Sequence, residues 1–430
     1  MKRILRIACC GFLVLLSGCS SLSSFDSSWI NNILYTPTPV PTKTNIPTPH
    51  PAQTSEASPG QPDSSGAGPR ILRIWLPAQF NPETNTAPAA LLKQRLNSFE
   101  VQHPGLEIDV RIKSEDGDAN LLNSLMITSM AAPNVLPDLI ALPRPMLETA
   151  VQKKLVRPLN DFSTQLQNSN WYPYAQELAK INGTPYGLPF AGDAWVIIYR
   201  PELVWIKNWD DILLSEGHLM FPGADLQAQV GLSLYMSAGG QLLDAKGHPA
   251  LDQEILTQVL ELFAKGRAAT LFPDAVTNIS TDSQVLQEYR VRRSNMAIVH
   301  FSEYHASQDG LIQPLMGLKQ DHYTFSTGWV WALAGQNPDN QQLSTQLIAF
   351  LTADDFLAQW TKETSYLPTR RSTAEQGSDS PIPAIIEAAQ PSPSTDTMSV
   401  LGPAMEEAIT RVLKGEQPDA VARSVIEKMK

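Results

Sequence analysis

At the centre of the chain stands the stretch Asn182-Gly183-Thr184-Pro185-Tyr186-Gly187-Leu188-Pro189-Phe190, and the strand-like run Trp195-Val196-Ile197-Ile198-Tyr199 follows it closely. Glycine and proline at this density mark turns. The aliphatic and aromatic residues after them favour a buried strand. The stretch therefore interrupts the regular alternation of strands and helices on its N-terminal side.

The residues before this stretch are typical of β-α-β units. Strands are predicted over residues 71–76 and 139–142, and a third over residues 106–112, where apolar and polar side chains alternate. Leu92, Leu96 and Phe99 are apolar at i, i+4 and i+7, and this spacing predicts a helix between the strands 71–76 and 106–112. This alternation predicts a mainly parallel sheet covered on both faces. Ligands bind such sheets at the carboxyl ends of strands, here near residues 75–80 and Pro143-Arg144.

The C-terminal third has the periodicity of helices. The apolar positions that carry this prediction are Leu343, Leu347, Phe350 and Leu351, then Phe356 and Trp360, then Met405, Ile409 and Val412. A helical C-terminus after two α/β blocks predicts interleaved lobes.

The N-terminus has the features of an export signal. Residues 1–6 are basic, and the apolar run over residues 7–16 is too short to anchor a chain stably across a bilayer. Leu16-Ser17-Gly18-Cys19 resembles the lipobox of bacterial lipoproteins. That resemblance implies a signal peptide over residues 1–18, lipidation of Cys19 and a location outside the cytoplasm at the cell membrane. An ordinary signal peptide with a chance cysteine, or a signal anchor, is the alternative.

Residues 19–70 are predicted to form the lipidated cysteine and a disordered tether. The segment is rich in proline, threonine and serine and has no periodic apolar face. A flexible stalk behind a lipid suits a domain that meets a membrane partner while it stays in solution. The folded part is therefore predicted to be residues 71–430.

Charge and cysteine content exclude several classes of function. The net charge of the 430-residue chain is −11, and removal of residues 1–18, which carry three basic residues and no acid, takes it to −14. An acidic protein of this kind is not expected to bind nucleic acid. All cysteines lie at positions 9, 10 and 19, so the folded part can contain no disulfide, thiolate metal site or cysteine nucleophile.

Taken in order, the segments of the folded part resemble the family 1 extracellular solute-binding proteins, the group that includes maltose-binding protein. Gly183–Phe190 resembles the family's first crossover between lobes. The other matching segments are Trp209–Leu213 as the "TW-(D/E)-E-L" helix start, Ala238-Gly239-Gly240 with Leu243–Gly247 as the "GG…D-x-x-G" turn, Asn295–Ile298 as the "MAI" strand, Gly328-Trp329, Tyr366–Arg370 as "G-(Y/F)-L-P-x-R", and Ala404–Lys430 as the closing helix pair.

This resemblance implies an α/β, two-lobed periplasmic-binding-protein-like fold of type II, with a multi-strand hinge. The lobes would comprise residues 71–187 with 332–366, and 190–326 with 371–430. It also implies that the protein is the substrate-binding lipoprotein of an ABC importer, capturing a carbohydrate-type solute for the membrane permease, with no cofactor and no catalysis. The sequence departs from the family at residues 300–304, where many members have "G-P-W", and at residues 400–403, which lack an aromatic. These departures bear on the identity of the ligand.

Carbohydrate sites combine flat aromatic rings with carboxylates and amides. Trp75 ends the first strand and would reach the cleft, although a tryptophan buried in the core is an equal alternative. Asp193 and Trp195 lie just after the crossover, where side chains reach a cleft from the hinge. Trp329 and Trp331 share one sheet face, and Trp329, beside a glycine, is favoured as the ligand contact.

Glu303 and Tyr304 occupy the position after the "MAI" strand where the family often contacts its ligand. His300 and His305 flank them at a spacing of i, i+5, which differs from the i, i+4 spacing of helical zinc sites, so no metal is expected. The predicted ligand contacts are therefore Trp75, Asp193, Trp195, Glu303, Tyr304 and Trp329.

The catalytic sequence motifs for serine hydrolases, phosphate-binding loops and zinc proteases are absent from the sequence. Two further classes remain open beside solute capture. One is a surface lipoprotein that degrades glycans, which would need two carboxylates at a fixed separation. The other is an envelope protein that senses a ligand without transporting it.

Overall fold

The computed structural model describes residues 70–203, 206–307, 309–320, 322–374 and 380–429. The predicted signal peptide, the predicted lipidation at Cys19 and nearly all of the predicted tether lie outside these residues, as does the side chain of His305. The first strand begins at Arg70, whose backbone N–H donates to the carbonyl of Gly105 at 2.8 Å, one residue before the expected start of the folded part.

The strands are β1 (Arg70–Pro77), β2 (Leu106–Lys113), β3 (Leu139–Pro143), β4 (Lys180–Ile181), β5 (Thr184–Pro185), β6 (Gly187–Tyr199), β7 (Leu219–Met220), β8 (Met296–His300), β9 (Leu311–Pro314), β10 (Thr324–Leu333) and β11 (Ala389–Pro391). The helices are α1 (Ala87–Gln102), α2 (Leu121–Ala131), α3 (Arg144–Gln152), α4 (Ser163–Leu166), α5 (Pro173–Leu178), α6 (Trp209–Leu214), α7 (Gln229–Ser237), α8 (Gln253–Ala268), α9 (Asp282–Arg290), α10 (Phe301–Ser307), α11 (Pro338–Leu351), α12 (Asp354–Glu363), α13 (Ile382–Ala388), α14 (Thr395–Leu413) and α15 (Pro418–Met429). None of the helices in the described ranges is long and apolar enough to cross a membrane.

The first helix forms as its periodicity predicts. Leu92, Leu96 and Phe99 are buried on one face of α1. The hydroxyl of Thr86 accepts a hydrogen bond from the backbone N–H of Ala89 and caps the N-terminus, where the helix has no acceptors of its own. The predicted C-terminal helices correspond to α11, α12 and α14, and the apolar positions Leu347, Trp360 and Met405 are buried.

The sheet is mixed, which corrects the expectation of a mainly parallel one. Its main path runs β2-β1-β3-β10-β6-β8-β7, with β11 beside β10 and β9 beside β6. β1 is parallel to β2 and β3, as the β-α-β pattern predicts. β10, however, is antiparallel to both β3 and β6, and β6 is antiparallel to β8 and β9. Parallel neighbours need a crossover connection, whereas β10 enters the sheet late in the chain and in the opposite direction.

The long strand β6 connects the two ends of this sheet. All of its residues are buried. Residues 187–194 pair with β10, and residues 195–199 pair with β8. At the change of partner, Gly192 faces Gly328 of β10 and also exchanges backbone hydrogen bonds of 3.0 and 2.7 Å with Leu367. Three segments of the chain therefore meet at this point.

Candidate functional site

A cavity of about 250 Å³ lies at the junction between the parts of the sheet. One wall comes from the first turns of α3, directly after the carboxyl end of β3, where the sequence predicts ligand contacts. The opposite wall comes from the loop before α7, and β10 and the start of α14 complete the lining. The lining residues are Arg144, Pro145, Glu148, Leu226, Gln227, Gln229, Thr327, Ser392, Pro393, Thr395, Met398, Ser399 and Pro403.

Arg144 provides the cation of this cavity. Its guanidinium donates to the backbone carbonyl of Glu177, and no carboxylate of the described residues lies within ion-pair distance. Burial lowers the pKa of Arg144, and the nearby carboxylates of Glu148 and Glu177 oppose that effect only in part. The side chain stays protonated at neutral pH and keeps donors for an oxygen-bearing ligand.

Glu148 has a structural task at the same wall. One carboxylate oxygen accepts from the backbone N–H of Thr395 at 2.9 Å and from its hydroxyl at 2.8 Å. The contact ties the first turns of α3 to the N-terminus of α14, where a negative charge is favourable. Two segments that are far apart in sequence are thereby fixed on one side of the cavity.

The opposite wall depends on an unusual turn. Ala228 has a left-handed backbone conformation, with φ of +44°, immediately before α7. Gln227 and Gln229 on either side of it both line the cavity, and their amides form a hydrogen bond of 2.8 Å. In α14, a side chain at Gly402 would come within 2.3 Å of the carbonyl oxygen of Leu226, so only glycine allows this loop to approach the helix.

A partly buried charged cluster lies behind this wall. Nδ1 of His300 contacts a carboxylate oxygen of Asp282 at 2.6 Å, and its ring packs on Trp195 with a centroid distance of 3.8 Å. Burial by itself lowers the pKa of His300, but Asp282 first, and then Asp193 and Asp225, raise it to about 9. The imidazole is therefore protonated at neutral pH.

Asp193 and Trp195, which the sequence predicts as ligand contacts near the hinge, are both buried. Asp193 accepts from the backbone N–H of Ser302 at 3.1 Å and from its hydroxyl at 2.6 Å, which joins β6 to α10. Burial raises the pKa of Asp193, and these hydrogen bonds oppose the rise. Trp195 donates its indole N–H to the side-chain oxygen of Gln229 at 3.2 Å, so it lies one hydrogen bond behind the cavity wall.

The two other predicted tryptophans lie in the core. Trp75 is 2% exposed, with the ammonium of Lys113 at 4.4 Å from its ring centre. Trp329 is 6% exposed and packs edge-on against Phe80 at 5.2 Å. Trp331, on the same side, stacks on Phe190 at 4.6 Å.

Glu303 and Tyr304 lie on α10 and are partly exposed. Burial, and then the charges of Asp282 and Asp193, raise the pKa of Glu303. The hydroxyl of Tyr304 donates to the carbonyl of Gly310 at 3.1 Å. None of the six side chains predicted as ligand contacts belongs to the cavity lining, and their role as ligand contacts stays a prediction.

The sequence predicts the wall of the cavity that contains Arg144 but not the wall formed by the loop before α7. Arg144 follows from the rule that ligands bind at the carboxyl ends of parallel strands. Gln227, Gln229 and the start of α14 carry no comparable signal, because polar residues in loops are common and only tertiary packing brings these segments together.

Comparison with known proteins shows the family to which the chain belongs. Residues 94–385, more than half of the chain, match the family described as bacterial extracellular solute-binding protein. No curated protein matches the chain significantly.

Several solved structures share the fold. A maltose-bound MalE3 of T. maritima has 16% sequence identity and a TM-score of 0.64, covering 84% of this chain and 98% of its own. The maltodextrin-binding protein MalE1 of L. casei BL23, without ligand, has 15% identity, a TM-score of 0.67 and the same coverages. A solute-binding protein of Thermotoga lettingae TMO bound to α-D-tagatose has 17% identity and a TM-score of 0.63, again covering 84% and 98%. These matches confirm the predicted two-lobed α/β fold.

Proposed function

The chain belongs to the bacterial extracellular solute-binding proteins, and from this premise we propose that it captures a carbohydrate-type solute in the cavity and delivers it to the permease of an ABC importer. The observation that carries the proposal is the cavity itself. It joins an arginine, two amides and several hydroxyls to the apolar side chains of Leu226 and Met398. Sugars offer hydroxyl rims and apolar C–H faces, and this lining matches both.

The proposal includes a hinge between two lobes, residues 71–187 with 332–366, and 190–326 with 371–430. The change of pairing partner along β6 and the meeting of β6, β10 and Leu367 at Gly192 support it. Only a few backbone segments would have to bend for the lobes to rotate and close on a ligand. Arg144 and Gln227 would then approach the solute from opposite lobes.

A thermal-shift screen tests the proposal directly. The purified protein is screened against maltose, maltotriose, maltotetraose, D-tagatose, polyols and related small solutes, and each hit is checked for products by chromatography. We expect at least one sugar to raise the melting temperature and to be recovered intact. Product formation would favour the glycan-degrading alternative, and the absence of any hit would favour the envelope protein that senses a ligand without transporting it.

Replacement of Arg144 by alanine is expected to weaken binding of the best sugar by about 10- to 100-fold. A hydrogen bond from a charged donor contributes about 1.5–3 kcal/mol, and the variant leaves that part of the wall without donors. Isothermal titration calorimetry measures the change. Arg423→Ala is the matched control, because Arg423 is an exposed arginine of α15 that pairs with Asp419 at the surface. Equal affinities of both variants and the parent would contradict the proposed site.

The proposed location is outside the cytoplasm, with the protein anchored through lipid on Cys19. The support is the sequence Leu16-Ser17-Gly18-Cys19 together with a family described as extracellular. Cys19→Ala is expected to abolish incorporation of an alkyne-labelled fatty acid and to release the protein from the membrane fraction. Cys10→Ala, in the apolar run of the same segment, is the control and should label normally. Undiminished labelling of the Cys19 variant would exclude this anchor.

A further inference from the structure

A chain of hydrogen bonds, which we call the relay, connects the interior of β6 to the cavity. It consists of Trp195, Gln229 and Gln227. The indole Nε1–H of Trp195 donates to Oε1 of Gln229 at 3.2 Å, and Nε2 of Gln229 donates to Oε1 of Gln227 at 2.8 Å. Gln227 and Gln229 line the cavity, whereas Trp195 is buried, with 3% of its surface exposed.

The chemistry of the first member fixes the orientation of the others. An indole N–H is a donor only, so Gln229 must turn its oxygen toward Trp195 and its NH₂ group away from it. That NH₂ group then requires the oxygen of Gln227. The NH₂ group of Gln227 and the second N–H of Gln229 have no acceptor among the described residues. Both amides therefore offer donors to whatever occupies the cavity.

Trp195 is well held for this task. His300 lies directly opposite it in the pairing of β6 with β8, and their ring centres are 3.8 Å apart. His300 is held in turn by Asp282, through contacts from its ring and from its backbone N–H. A ring fixed on one face by another aromatic ring cannot turn its N–H away from Gln229 without disturbing the strand pair.

We propose that Trp195 is a positioning residue for sugar recognition, which acts through Gln229 to aim amide N–H groups at oxygen acceptors of the bound sugar. The inference rests on the proposed function and refines it. The wall selects a sugar that presents ring or hydroxyl oxygens at this point, and it disfavours an analogue that lacks an acceptor there. This role would replace the direct ligand contact that the sequence predicts for Trp195, because Trp195 does not line the cavity.

A double-mutant cycle tests this role. The probe is whichever of maltose, maltotriose, maltotetraose and D-tagatose binds the parent most tightly, titrated by calorimetry. Trp195→Phe keeps a ring against His300 but removes the N–H, and we expect the affinity to fall about five- to tenfold because the two amides lose their fixed direction. In a Gln229→Ala background the same change should have no further effect, since the amide through which it acts is missing.

Trp331→Phe is the matched control, because the Nε1 of Trp331 is also buried but has no hydrogen-bond partner among the described residues. It should leave the affinity unchanged. A role of Trp195 in packing alone would lower the melting temperature and weaken binding equally in both backgrounds. That result, or an unchanged affinity of Trp195→Phe, would overturn the inference.

A measurement without ligand separates this inference from the proposed function. In protein labelled with ¹⁵N-tryptophan, the indole resonance of Trp195, assigned from its loss in Trp195→Phe, should shift in Gln229→Ala. An unmoved resonance would overturn the relay even if sugars bind. A shifted resonance in a protein that binds none of the four sugars would instead support the relay and count against the proposed function.

Discussion

Replacement of Asp282 by asparagine should lower the free energy of unfolding by about 2–3 kcal/mol at pH 7, because it leaves the partly buried imidazolium of His300 without its main counter-ion. The contact at 2.6 Å joins two partly buried side chains, His300 with 21% and Asp282 with 15% of the side chain exposed. Urea unfolding followed by tryptophan fluorescence measures the loss. Glu288→Gln is the control, because it removes a carboxylate from the same helix whose partner, Arg293, is mostly exposed. That change should cost less than about 0.5 kcal/mol.

The same pair predicts a pH dependence. The pKa of His300 is raised from 6.5 to about 9, so the folded chain binds a proton more tightly than the unfolded chain. The resulting stabilisation is fully present below about pH 6.5 and is lost as the pH rises through about 9. Unfolding free energies measured from pH 6 to 10 should fall over this window in the parent and fall much less in Asp282→Asn. Identical slopes in the two proteins would refute the assignment.

Gly328→Ala is expected to destabilise the fold by about 3 kcal/mol. Gly328 has φ of +155°, and a Cβ there would lie 2.4 Å from the carbonyl oxygen of Ala191 and 2.8 Å from the side chain of Leu178. The backbone around Ala191 can move only at a large cost in free energy. The added methyl group would therefore push β10 and β6 apart where they face each other. Gly239→Ala is the control, because Gly239 also has a positive φ, +96°, but nothing lies within 4 Å of its added methyl group.

In Gly239→Ala the free energy of unfolding should fall by about 1 kcal/mol, which is the cost of a left-handed backbone conformation alone. The difference between the two variants measures the crowding at the junction. In the proposed mechanism this junction is also the hinge, so Gly328→Ala should reduce the compaction that a bound sugar produces in small-angle scattering. Equal stability of the two variants would show that β6 and β10 yield more easily than their geometry indicates.

The sequence predicts well what depends on neighbours along the chain. The periodicity of Leu92, Leu96 and Phe99 is local information, and α1 forms as predicted with all of them buried. The direction of β10 depends on contacts across nearly 200 residues, with β3 on one side, and no local pattern encodes it. The expectation of a mainly parallel sheet failed for this reason.

The residues of the candidate site also fall into those that the local sequence predicts and those that depend on distant contacts. Arg144 follows a strand whose end can be predicted, whereas Gln229 becomes part of a wall only because Ala228 turns the chain and Gly402 lets α14 approach. The sequence predicts Trp195 as a direct ligand contact, and the positioning role that we propose for it could not be predicted for a different reason. Every residue of β6 is buried, so the strand has no polar alternation to show which side chains face a cavity.

The late position of β10 in the chain has a consequence for biosynthesis. In the described part of the sheet β3 and β6 are joined through β10, so both keep an open edge until residues 324–333 have left the ribosome. A nascent chain of this topology is expected to reach its final structure only when synthesis is nearly complete, since distant contacts form slowly. Until then the open edges of β3 and β6 present unpaired backbone groups with which another chain could pair.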